Sequence, residues 1–180
     1  MLFDAPATTC AILAVLAVIT AFIIIGYEGF VLVGSKGLPA WNCGVIPALY
    51  PASALFGGTG VVVAASFLAG EIDVSEMLLL PMLVLGIVQM FMLVAYCICL
   101  GLDNVENGRA LNRLNRGQFA FFYWGFLFIV GTIVPSVILA FACAGITLPW
   151  MLPLAGILAA VATFAMRPFF LYFGGHENRL

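Results

Sequence analysis

Residues 117–166 run for fifty positions without one Asp, Glu, Lys or Arg. A helix at the surface of a soluble domain needs a polar face, and a stretch this long has none to offer. A bilayer core takes ~20 helical residues per crossing, so fifty must make two crossings with a turn between them. Gly145-Ile146-Thr147-Leu148-Pro149 supplies that turn, since Gly and Pro break the apolar run there. The rest of the chain is built alike. Segment 5–35 has the single charge Glu28, and segments 37–70 and 77–102 have none. The whole chain is 65% hydrophobic and 8% charged, where a soluble domain carries about a quarter charged residues. Lipid is the solvent.

The charges therefore mark the limits of the spans. They predict helices over about 8–33, 45–69, 77–102, 119–145 and 148–173. The fold class expected is an all-α integral membrane protein, a bundle of about five transmembrane helices forming one domain over residues 1–180. The first span lacks the positive leader of a signal peptide, because Met1-Leu2-Phe3-Asp4 has no Lys or Arg. Lys36, Arg109, Arg113, Arg116 and Arg179 fall on one side of the five crossings, and Asp4, Glu71, Asp73 and Glu76 on the other. The positive-inside rule then puts the N-terminus outside and the C-terminus in the cytoplasm. A net charge of −2, scattered along the chain, suggests no nucleic-acid partner.

Two charges lie at membrane depth. Glu28 falls late in the first span, and Arg167 lies about seven residues before Gly174-Gly175, ~10 Å inside the helix end. An intramembrane charge marks a functional site with a partner unless it snorkels to the headgroups. If both face inward, each is the other's partner. Gln89, near the middle of the third span, needs partners in hydrocarbon and is either glue between helices or one wall of a ligand site. In the second span, Gly57-Gly58-Thr59-Gly60 followed by Ala64 and Ala65 marks a close-packing helix. Pro135 should kink the fourth span, with Ser136 placed to cap the freed carbonyl.

Several chemistries are excluded by residue type. The single histidine, His176, is in the tail, so the spans lack the histidine pair that a membrane-embedded haem requires. Cys97 and Cys99 point to nearly opposite sides of a helix, and no cysteine set has iron–sulfur spacing. The chain is expected to bind no haem, no iron–sulfur cluster and no metal.

Three segments carry a resemblance. Tyr27-Glu28-Gly29-Phe30-Val31-Leu32 is followed by Leu38-Pro39-Ala40-Trp41-Asn42, and then by Ile46-Pro47 through Ser53-Ala54-Leu55-Phe56-Gly57-Gly58. This order resembles the NrfD/polysulfide-reductase family of membrane subunits, with its Tyr-x-Gly helix end, Pro-x-Trp-Asn loop and Ser-x-Leu-x-x-Gly helix. Tyr123-Trp124-Gly125, with Gly131 and Pro135, resembles the penultimate helix of that family, and Arg167 its last-helix arginine.

The resemblance implies a haem-free, quinone-interacting membrane anchor of a multi-subunit respiratory oxidoreductase in a prokaryotic cytoplasmic membrane. It implies an iron–sulfur partner subunit, a catalytic oxidoreductase subunit and, since it covers only the last five of the family's typical eight or more helices, further membrane helices. Tyr27, Glu28, Trp41, Asn42, Gln89 and Arg167 become candidate quinone or ion-pair residues. Two other readings stand beside it: a structural or assembly subunit of such a complex without a redox ligand, and a small transporter or channel protomer. No internal repeat of the kind common in transporters is visible in the sequence.

Overall fold

The computed structural model describes residues 7–35, 38, 40–70, 76–102, 105–146 and 150–175. Asp4, Lys36, Pro39, Glu71, Asp73, the turn residues 147–149, His176 and Arg179 lie outside the described residues.

Five helices are long and apolar enough to cross a membrane. They are α1 (Ala7–Gly34), α2 (Ile46–Leu68), α3 (Leu79–Leu102), α5 (Gly117–Cys143) and α6 (Met151–Gly175). Hydrocarbon offers no partner for backbone N–H or C=O, so these apolar segments satisfy themselves internally as helices. Pro47 sits in the first turn of α2, where its missing N–H would have had no intrahelical partner anyway. The C-terminus of α5 closes on Gly145, whose φ of 81° is open to glycine. There Ile146 N–H reaches Phe141 O at 3.0 Å and Gly145 N–H reaches Ala142 O at 3.0 Å, a Schellman-type stop. The turn expected at Gly145 begins with this stop.

A sixth helix, α4 (Val105–Leu114), occupies the segment between the third and fourth spans that the sequence reading treats as loop. Its buried residues Asn107, Ala110 and Leu114, with half-buried Leu111, share one face at helical spacing, while Arg109 and Asn112 are exposed. Ten mostly polar residues give too little apolar signal to announce it.

The bundle is organised around α2, which packs on α1, α3 and α6, while α5 packs on α6 and α3. Contact between α2 and α6 is backbone-close. A Cβ on Gly60 would meet the Gly156 carbonyl oxygen at 2.7 Å, and one on Gly156 would meet the Gly60 carbonyl oxygen. Gly57 lies against the Thr163 side chain, whereas Gly58 faces away from the seam. One core region gathers Leu49, Tyr50, Tyr96, Tyr123 and Phe170; a second holds Phe56, Met82, Leu139 and Ala159. Residues 8–24 of α1 are exposed, although Val18, Ala21 and Phe22 border a shallow cavity against Pro51 and Leu55 of α2, and the buried residues of α1 are Gly29 and Leu32 in its later turns.

Before Pro135 the regular α-helical spacing of α5 is replaced by a wider one. Over Phe121–Ile133 the helix has π-type turns, with Val134 N–H donating to Ile129 O. Thr132 Oγ1 follows the same spacing and donates to Leu127 O at 3.0 Å. Ser136 does not cap a carbonyl freed by the proline. Its hydroxyl donates to Thr132 O at 2.7 Å, the carbonyl one turn back from itself, which is the acceptor a helical serine reaches most easily.

Candidate functional site

α1 and α6 are separated by an even number of turns of the chain across the bilayer, so they run in the same direction and end on the same side. Glu28 lies six residues before Gly34 and Arg167 eight before Gly175. At 1.5 Å per residue these depths are about 9 and about 12 Å. The matched depths bring the two side chains together. Arg167 Nη1 donates to Glu28 Oε1 at 3.2 Å. The ion pair is one-sided, because Glu28 Oε2 is buried without a hydrogen-bond partner. A buried acceptor left unpaired costs roughly 1–3 kcal/mol, so the carboxylate holds binding capacity that the protein does not itself use.

A cavity of about 300 Å³ borders the pair, lined by Tyr27, Val31, Leu32, Tyr50 and Leu171 together with Glu28 and Arg167. Tyr27 and Leu171 are exposed on its rim, which opens the cavity toward lipid. Tyr50 is buried on α2, its ring tilted against Phe170 at 6.3 Å. The site thus combines a guanidinium and phenols as donors, a carboxylate as acceptor, and apolar walls. Such a set suits an amphipathic ring with polar groups at its edge and a hydrocarbon tail leading into the membrane.

Of the six residues singled out from sequence, Tyr27, Glu28 and Arg167 line this cavity. The other three lie elsewhere. Trp41 donates its indole N–H to Phe170 O at 2.9 Å, tying the α1–α2 loop to α6. A Cβ on Gly174 would run into that indole, so the ring depends on a glycine there. Asn42 is exposed in the same loop. Gln89 is buried among three helices: Ser53 Oγ lies 2.9 Å from Gln89 Oε1 and 3.2 Å from Met166 Sδ, and Gln89 Nε2 lies 3.8 Å from the same sulfur. Thr163 donates to the Ser53 carbonyl at 3.2 Å beside it. Through these contacts Gln89 bridges α3 to α2 and α6.

Tyr50 was not singled out from sequence. It reads there as one more aromatic in an apolar run, and its signal is positional: it lies one helical turn after Pro47, opposite the depth of Glu28. The remaining buried phenols are engaged in holding the fold. Tyr96 donates to Ala40 O at 2.8 Å and Tyr123 to Leu93 O at 2.8 Å. No group of three or more metal-ligating side chains is found among the described residues.

Comparison with known proteins gives one match. The family model described as polysulphide reductase, NrfD, matches residues 1–176. No curated protein and no solved structure matches the chain.

Proposed function

Because the chain belongs to the NrfD polysulphide-reductase family, a family of membrane subunits of respiratory oxidoreductase complexes, we propose that it is the quinone-interacting anchor of such a complex. It exchanges electrons between the quinone pool and an iron–sulfur partner subunit, which connects in turn to a catalytic oxidoreductase subunit. It is oriented with its N-terminus outside and the α4 segment in the cytoplasm of a prokaryotic membrane.

The observation that carries this reading is the Glu28–Arg167 ion pair on the wall of a lipid-open cavity of about 300 Å³. The residues fit a quinone. Its ring carbonyls are acceptors and would take hydrogen bonds from the Arg167 guanidinium and the Tyr50 hydroxyl. Val31, Leu32 and Leu171 exclude water around the ring, and the exposed rim lets the tail lie in lipid. Glu28 holds Arg167 at the wall through Oε1, and its Oε2 is an acceptor available to a ring hydroxyl if the side chain turns.

The test is photolabelling of the assembled complex with an azido-quinone, followed by peptide mapping. Label is expected on residues 27–32 and 167–171. Tyr50→Phe and Arg167→Ala should lower both labelling and quinone-linked turnover, while activity of the catalytic subunit with a soluble dye is unchanged. Label confined to another part of the chain, or to a partner subunit alone, would favour the structural-subunit reading.

A further inference from the structure

A second cleft, larger than the one beside the ion pair, lies elsewhere on the described residues. It measures about 490 Å³ and sits between the start of α5 and the end of α6, lined by Gln118, Phe119, Phe122, Ala165, Phe169 and Tyr172. It is on the other face of α6 from the ion pair: Arg167 and Leu171 share one stripe of that helix, and Ala165 and Tyr172 another. The cleft's wall is aromatic and preformed. Phe122 and Phe169 stack at 5.2 Å and 10°, and Phe169 and Phe173 at 5.9 Å and 4°.

Three facts select an occupant. The lining has no charged group, and its polar atoms are limited to the Gln118 amide and the Tyr172 hydroxyl, both toward the rim where the two residues are exposed. An acyl chain asks for no hydrogen-bond partner along such a wall. The cleft lies at the membrane border, in the first turn of α5. At that border stand Arg109, Arg113 and Arg116, the last of them exposed and two residues before Gln118. The acidic residues of the same segment, Asp103 and Glu106, fall at its opposite end in sequence.

We propose that this cleft binds one anionic phospholipid, its acyl chain along Phe119, Phe122 and Phe169 and its phosphate at Arg116. Stacked rings that are already in place lose little freedom when an acyl chain settles on them, which favours a retained lipid over a passing one. Arginine at the border supplies the charge selectivity, worth about fivefold in affinity for each residue near the surface. The site is independent of the quinone reading and uses none of its residues.

The experiment uses the full chain, reconstituted in phosphatidylcholine vesicles doped with a diazirine-tailed phosphatidylglycerol. Crosslinks are expected on peptides 118–122 and 165–172. Unlabelled phosphatidylglycerol should compete at least about fivefold better than phosphatidylcholine. Arg116→Gln should remove that preference while leaving the crosslinked peptides the same. Ala165→Phe, which puts a ring into the cleft from its α6 wall, should abolish crosslinking there, and Phe164→Leu, exposed on the same helix, should not. Equal competition by the neutral lipid overturns the proposal, as does undiminished crosslinking in a folded Ala165→Phe protein. Labelling of peptide 118–122 by an azido-quinone in place of the lipid also overturns it. Arg116 is exposed, so its variant decides the question even if Ala165→Phe does not fold.

Discussion

Removing Arg167 should cost more than removing Glu28, and removing both should cost less than the sum. At 3.2 Å and an effective dielectric of ~20, two unit charges attract by about 5 kcal/mol. That figure is an upper bound, because the side chains are 41% and 35% exposed and can relax toward the headgroups. A fully buried pair broken on one side loses roughly 3–5 kcal/mol; with the exposure taken into account, Arg167→Ala should lose about 2–3. Glu28 would then be left at membrane depth with both oxygens unpartnered, since Oε2 has no partner even in the intact protein. Glu28→Gln should lose about 1–2 kcal/mol, because the long arginine stem can carry the freed guanidinium to the interface. The assay is reversible unfolding in mixed detergent–SDS micelles for both single variants and the double variant. A coupling energy of about 1–2 kcal/mol is expected from the cycle. Single losses that add within about 0.5 kcal/mol would mean independent residues and refute the reasoning.

Gly156→Val should push α6 off the Gly60 carbonyl and destabilise the protein by about 1–3 kcal/mol in the same unfolding assay; the equivalent change at outward-facing Gly58 should be much milder. Trp41→Phe keeps the ring but loses the bond to Phe170 O, so a loss of about 0.5–1.5 kcal/mol is expected, with faster proteolysis of the α1–α2 loop. A cysteine at Asn112, exposed on α4, should react with a membrane-impermeant maleimide only in inside-out vesicles of a cysteine-free background; reaction in right-side-out vesicles would invert the proposed orientation. A cysteine at position 107, where Asn107 is buried on the same helix, should resist labelling from either side.

Lipid solvation, the helical class and the five crossings were legible in the sequence, for one physical reason. Hydrocarbon imposes the same demand on every residue of a span, so the absence of charge over ~20 positions is enough to identify one. The family pattern was legible too, through short motifs that include Tyr27, Trp41 and Arg167. Helix α4 escaped notice because its inner face has only three apolar residues, Ala110, Leu111 and Leu114, and faces protein, a neighbour the sequence does not name.

The partners of the polar residues were a matter of three dimensions. Periodicity could place Glu28 and Arg167 at similar depth, but the contact between them depends on α1 and α6 meeting along α2. Trp41, Asn42 and Gln89 looked as eligible for the site as Tyr27 did. Tertiary packing sent the Trp41 indole to a carbonyl of α6 and Gln89 into a bridge among three helices, and left Asn42 exposed in the loop. The same packing brought in Tyr50, which nothing local distinguishes from any other apolar-span aromatic. Composition fixes which residues must enter the membrane; the rotation of each helix about its axis fixes what they meet there, and that rotation is set by close approaches such as Gly60 against Gly156, which no single span contains.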